Sequence, residues 1–193
     1  MKYIYLAPIG TVDDDILAAL ETSLWHAFGF EVRRMKPFGD PSYAFDGQRN
    51  QYSSTMILRE LVRQCPPDAV RLLAVTEHDL FIPMLSFIYG QAQLEGRVSI
   101  ISLARLRQEF YTLPGNRVLA VARLLKEALH ELGHTFGLTH CIEKECLMSL
   151  ATNIRQLDLK GCDFCSSCSI LVRESMDSLR KQTPEHFTSE ERK

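Results

Sequence analysis

The sequence predicts an α/β (α+β) fold, a mixed β-sheet with helices packed against it, on three observations. Short apolar runs of strand length alternate with stretches of helical period through the first half of the chain. One run, Val70 to Val75, is apolar apart from Arg71, as expected of an interior strand covered on both faces. Two others, Phe87 to Leu94 and Arg97 to Leu103, are separated by Glu95-Gly96, a tight-hairpin signal that makes one edge of the sheet antiparallel. The chain has 193 residues and is 46% hydrophobic, enough for one well-buried core with at most a small second lobe.

Each element has its own signal. Tyr3 to Ala7, followed by Pro8 and Gly10, reads as a first strand. Asp13-Asp14-Asp15 opens a helix at the end where acidic residues suit the dipole, and Ile16, Leu17, Leu20, Leu24 and Phe28 fall on one face. Gly29 stops it, and Phe30 to Met35 forms a second strand. Pro37 to Asn50, rich in Pro, Gly, Asp and Ser, is expected to be a long, mobile, functional loop. Ser53 or Ser54 caps a second helix with Ile57, Leu58, Leu61 and Val62 inward, ended by Pro66-Pro67. The Phe87 to Leu94 strand carries Gly90, Gln91 and Gln93, which suits an edge with its outer side open. Pro114-Gly115-Asn116 starts the strongest helix, Val118 to His134, with Val118, Val121, Ala122, Leu125, Leu129 and Leu132 at helical spacing. Ser169 to Lys181 is a last helix with Ile170, Leu171 and Met176 inward, and the charged segment Pro184 to Lys193 is expected to fray.

Composition excludes some functions. A net charge of -2 leaves no basic field to grip nucleic acid. No run approaches the roughly 18 apolar residues of a membrane span. The opening apolar run is too short for a secretory signal core and lacks a cleavage site, so the expected location is cytoplasmic. In that reducing compartment a cysteine cluster more often binds metal than forms disulfides. Five of the six cysteines, Cys141, Cys146, Cys162, Cys165 and Cys168, follow a His-rich motif closely. Cys65 stands apart as a small buried or half-buried hydrophobe.

That motif, His130-Glu131-Leu132-Gly133-His134-Thr135-Phe136-Gly137-Leu138-Thr139-His140, reads H-E-x-x-H-x-x-G-x-x-H. On a helix, His130 and His134 lie about 40° and about 6 Å apart, so both imidazoles can reach one ion. Glu131 points about 100° away from His130, too far round to join as a ligand but able to reach a water on the metal. If the helix continued, His140 would sit about 240° from His134. The chain must therefore turn back, and Gly137 permits a left-handed turn. Three His ligands leave a fourth position free, the mark of a catalytic zinc. Two histidines on a helix can be mere packing; the added Gly137 and His140 make the metal reading the stronger one. The extended pattern, followed by a Met-turn, is that of the metzincin zinc peptidases. Met148 is the Met-turn candidate, a residue that would otherwise be ordinary core.

Taken together, His130 to Cys168 resembles the archaemetzincins, whose pattern adds cysteines around the methionine and a later C-x-x-C. Here these are Cys141, Cys146, Met148 and Cys165-Ser166-Ser167-Cys168. Val75-Thr76-Glu77-His78-Asp79-Leu80 and Gly96-Arg97-Val98-Ser99 also look like the family. The resemblance implies a metzincin-like five-stranded mixed sheet, an active-site helix over 118–135 and a small Cys-rich, zinc-stabilised C-terminal subdomain. It divides the chain into an N-terminal subdomain over residues 1–136 and a C-terminal subdomain over residues 137–193.

It further implies two Zn2+ per chain. One is catalytic on His130, His134 and His140 with Glu131 as general base; the other is structural on Cys141, Cys146, Cys165 and Cys168. On spacing alone Cys162 and Cys165 can serve as the later pair; the family spacing leaves Cys162 a free thiol. The implied activity is a zinc metallopeptidase acting on a peptide or protein substrate, with an aminopeptidase-like role as open as endoproteolysis, and a monomer as the default. The open edge strand would then bind an extended peptide. A metal-binding regulatory or peptide-binding protein is the alternative, its site blocked or latent, for example under the 37–50 segment. A zinc-knuckle nucleic-acid module is opposed by the charge balance. His26, His78, His186, Tyr89 and Tyr111 receive no role.

Overall fold

In the computed structural model of the protein, which describes residues 2–181, the N-terminal run forms strand β1 (Tyr3–Ile9) and Asp13 leads into helix α1 (Asp14–Phe28). Gly29 ends that helix in the left-handed conformation, φ 64°, its amide bonded to Trp25 O. Next come β2 (Val32–Arg34), β3 (Phe45–Asp46), β4 (Gln51–Ser53) and helix α2 (Ser54–Gln64), whose N-cap Ser53 accepts from the Met56 amide. After these, β5 (Ala69–Thr76), β6 (Leu80–Phe81), β7 (Gly90–Ala92) and β8 (Val98–Ser102) precede helix α3 (Arg117–Thr135). Two helices close the described chain: the short α4 (Ile154–Leu159) and α5 (Ser166–Lys181).

The main sheet has the order β2-β1-β5-β8-β7. Four strands run parallel, and β7 pairs antiparallel with β8, Gly90 opposite Ile101 and Ala92 opposite Ser99. This is the five-stranded mixed sheet expected from the sequence, with β5 at its centre and buried along its whole length. A second small sheet, β3-β4-β6, lies beside it. The period-2 alternation sorts the core into two layers. Leu73, Val75, Ile4 and Leu6 face α1, α3 and α5, whereas Leu72, Ala74, Ala7 and Ile9 face α2.

Several expectations are corrected. Of the face expected on helix α3, Leu129 and Leu132 are buried and Val121 and Leu125 half-buried against the core, but Ala122 is exposed and Val118 is 81% exposed; the buried line also runs through Ala120, Leu124, Glu127, Ala128 and Glu131. Polar residues are buried on this helix because they have partners. Arg123 donates to Asp158 at 2.7 Å and to Leu106 O at 2.8 Å. Helix α5 turns Cys168, Val172 and Met176 inward and leaves Ile170 and Leu171 outside; Val62 of α2 is likewise exposed.

The 37–50 segment is not a featureless loop. Phe38 bridges to Ile9, a 3-10 turn spans Ser42–Ala44, and β3 pairs with β4. The hairpin survives in shorter form, because the chain before Tyr89 leaves the main sheet and Ile88 bridges to Leu80. The expected fraying of 184–193, and His186, lie outside the described residues.

Candidate active site

Helix α3 carries two of the candidate ligands and its ending delivers the third. Asn116 caps the start, its side chain accepting from the Leu119 amide at 3.0 Å. At the other end, Gly137 adopts φ 96°, its amide bonding to His134 O while the Leu138 amide reaches back to Gly133 O, both at 3.0 Å. That pair of bonds is the left-handed glycine cap expected at Gly137. It redirects the chain so that His140 faces the helix it has just left.

The three imidazoles converge, with ligand nitrogens all within 4.8 Å of one another. Nε2 of His130 and Nε2 of His134 are 3.1 Å apart. Two nitrogens about 2.0–2.1 Å from a shared tetrahedral ion would stand about 3.3 Å apart, so the pair fits such an ion. The opposite ring nitrogens are committed. His130 Nδ1 lies 2.9 Å from Leu147 O and His134 Nδ1 lies 2.7 Å from Leu138 O. A carbonyl only accepts, so each Nδ1 carries the proton and each Nε2 keeps its lone pair for a metal. Burial pushes the pKa of all three rings down, that of His130 furthest, with the Lys160 charge adding to the effect. Neutral imidazoles are the form a metal needs.

Glu131 is buried beside them, and its neighbour is a backbone. A methyl group placed on Gly90 of β7 would lie 2.6 Å from Glu131 Cγ, so only glycine lets the edge strand pass this close. Burial first, and then the Glu127 charge, hold the Glu131 carboxyl well above the usual carboxylate range; Lys160 opposes this. Glu127, one turn earlier on the same face, is itself raised by burial and pairs with Lys160 Nζ at 3.2 Å. Two acids and one ammonium thus share the floor of a cleft of about 530 Å³. Its walls include β7 from Gly90 to Ala92, His134, His140 and Leu150–Thr152. None of its lining residues comes from 37–50, so that segment does not cover the cleft.

Met148 is fully buried. A methyl on Gly133 would come 2.6 Å from its sulfur, which places that sulfur against α3 at the residue before His134. The four cysteines Cys141, Cys146, Cys165 and Cys168 form the other convergent group, again within 4.8 Å. Cys141 Sγ and Cys165 Sγ are 3.8 Å apart, far beyond the roughly 2.05 Å of a disulfide. Two thiolates on one tetrahedral zinc at about 2.3 Å would stand about 3.8 Å apart. The amides of Met148 and Cys165 both point at Cys146 Sγ, at 3.4 and 3.3 Å. Cys162 is exposed and lies outside the group, so Cys165 and Cys168 form the later pair.

Sequence reasoning singled out the histidines, Glu131, Met148 and the four cysteines, and the fold brings them into these two groups. It missed Glu127, Lys160 and Gly90. Glu127 carried a signal, since it lies four residues before Glu131 on the same helical face. Lys160 carried none, because its place depends on how α4 packs.

Residues 45–174 match the model of peptidase family M54. The archaemetzincin of Methanocaldococcus jannaschii is 41% identical over 86% of this chain and 89% of its own length. That of Pyrococcus furiosus is 39% identical over 90% and 93%. Two crystal structures superpose closely. The archaemetzincin of Methanopyrus kandleri has a TM-score of 0.79 at 31% identity, covering 91% of this chain and 96% of that one. The one from Archaeoglobus fulgidus, complexed with malonate, has 0.76 at 31%, covering 89% and 99%.

Proposed function

The chain belongs to peptidase family M54, the archaemetzincins, and from that premise we propose that it cleaves peptide bonds by attack of water with Glu131 as general base. As a family member it is a zinc metallopeptidase, and its substrate is a peptide or protein. The observation that carries the mechanism is the meeting of three neutral imidazoles and one buried carboxylate in a single open cleft.

His130, His134 and His140 are the residues that would hold the catalytic ion. Zinc bound there supplies Lewis acidity for the substrate carbonyl, lowers the pKa of water toward about 7, and provides a charge that favours ionised Glu131. The protein does the rest. Leu147 O and Leu138 O fix two of the rings. Glu131, a stronger base than an exposed carboxylate because of its burial, takes the proton of the attacking water and returns it to the leaving amine. Lys160 balances some of the charge of Glu127 and Glu131.

Substrate is positioned by the edge of the sheet. The Ser102 amide bonds to Tyr89 O, and the Gln93 amide bonds to Val98 O. In an antiparallel pair these inward bonds alternate, leaving the amide and carbonyl groups of Gly90 and Ala92 facing outward. An extended peptide can add there as a further strand, across the cleft from Glu131. Cys141, Cys146, Cys165 and Cys168 are the residues that would hold a second zinc; four thiolates would leave it no open position, a structural role.

Glu131→Gln tests the mechanism. Hydrolysis of a peptide library should fall by about 10²- to 10⁴-fold with zinc content unchanged. Turnover retained at equal zinc would contradict the role of Glu131. Paired peptides with free and acetylated N-termini separate amino- from endopeptidase action.

A further inference from the structure

A second cavity, of about 410 Å³, opens between the end of α3 and helix α5, away from the catalytic cleft. Its walls include Phe136, Leu171 and Leu179, with the half-buried Ser175 on α5. Arg71 lines it from β5, as the one charged residue of that strand.

Arg71 is only 6% exposed, yet among the described residues it has no acidic partner. Its single hydrogen bond runs from one terminal NH2 group to Val70 O at 2.7 Å, and its Nε is buried without an acceptor. The Phe136 ring covers the guanidinium at 4.2 Å. Glu95, at the rim, is exposed and outside salt-bridge distance. The charge nearest in effect is of like sign: burial, and then Arg97, push Arg71 down to about 10, which leaves it cationic at neutral pH. Buried charges are otherwise paired or bound to a ligand, because an unpaired one costs too much. A guanidinium with unmade bonds, at the wall of a cavity lined by Phe136, Leu171 and Leu179 and by the hydroxyl residues Thr135, Ser175 and Ser178, lacks an anion.

We propose that this cavity binds a small organic carboxylate with an apolar body. The carboxylate meets the terminal NH2 group of Arg71 that makes no bond, and the body packs on Phe136, Leu171 and Leu179. The proposal is independent of the peptidase mechanism, since it uses none of the residues of the catalytic cleft.

The test is a titration of the zinc-loaded full chain with 4-methylpentanoate, read by the methyl resonances of Leu171 and Leu179. These residues lie outside the catalytic cleft, so binding at the catalytic ion does not mimic the signal. Saturable shifts are expected at millimolar ligand. They should weaken at least about tenfold in Arg71→Met and be absent with uncharged 4-methylpentanamide. Ser175→Phe, which fills the cavity and leaves Arg71 in place, should abolish them too and carries the test if Arg71→Met does not fold. Shifts that persist in both variants, an equal response to the amide, or no response in the wild type would overturn the proposal. Displacement by an equal concentration of inorganic phosphate would overturn the choice of a carboxylate with an apolar body.

Discussion

The histidine group and the cysteine group begin at adjacent residues, His140 and Cys141, yet they rest on different kinds of support. Two of the histidines stand on a 19-residue helix packed against the sheet, with backbone carbonyls turning their rings. Helix packing and those carbonyls pre-set the orientation of that site. The cysteines are strung over 141–168, where one six-residue helix is the only regular element before α5. Most side chains of that stretch are exposed or half-buried, and its four sulfurs converge within 4.8 Å. One group is assembled by the fold, while the other has to assemble its own surroundings.

The largest effect expected from this contrast comes from removing one ligand of each kind. Cys146→Ser should forfeit the second zinc. Structural zinc contributes about 10–16 kcal/mol in small sites, comparable to the whole stability of a domain, so the segment from Cys141 to α5 should lose its packing. Because His140 precedes Cys141, activity should go with it. His134→Ala should lose one zinc and all turnover but keep its near-ultraviolet circular dichroism. Zinc analysis and dichroism on both variants check this; a folded Cys146→Ser with both metals would erase the contrast.

Next in size is the contact that joins the two regions. Gly133→Ala drives a methyl to within 2.6 Å of the Met148 sulfur, and overpacking of this kind costs about 1–3 kcal/mol. Thermal melting should show the loss. An unchanged melting temperature would mean that Met148 yields freely and does not brace α3.

The smallest effect sharpens the claim that the histidine site is pre-set at a cost. In zinc-free protein the Glu131 carboxyl titrates higher when folded than in the unfolded chain, where its ordinary value is 4.5. Between those two values the folded state binds more protons, so stability falls as pH rises through the window. Glu131→Gln should therefore raise the melting temperature of the zinc-free protein at neutral pH, and the gain should vanish by about pH 4.5. A gain independent of pH would assign it to something other than the buried charge.

How much of this was legible in the sequence follows the same divide. The motif on α3, the glycine turn and the interior strand β5 were readable because each follows from local geometry: helical spacing, a left-handed cap, an unbroken apolar run. The inward face of α3 was legible only at Leu129 and Leu132. Hydrophobic periodicity cannot see Arg123 and Glu127, whose burial depends on Asp158 and Lys160 arriving from α4 and its end. Nor could it orient α5, where Cys168 sets the inward face and Val172 and Met176 follow at four-residue steps. Apolar content alone favoured Ile170 and Leu171. Position around the cysteine group is fixed by a metal-ligating geometry that no periodicity encodes.

The central claim is that two zinc sites of unequal kind are present, with catalysis at the histidine one. Stepwise chelation followed by metal analysis and peptide hydrolysis tests it most directly. A mild chelator should remove one of two zincs per chain along with all activity, leave the fold intact, and be reversed by added zinc. A single zinc per chain, or turnover that survives removal of the accessible ion, would contradict the account.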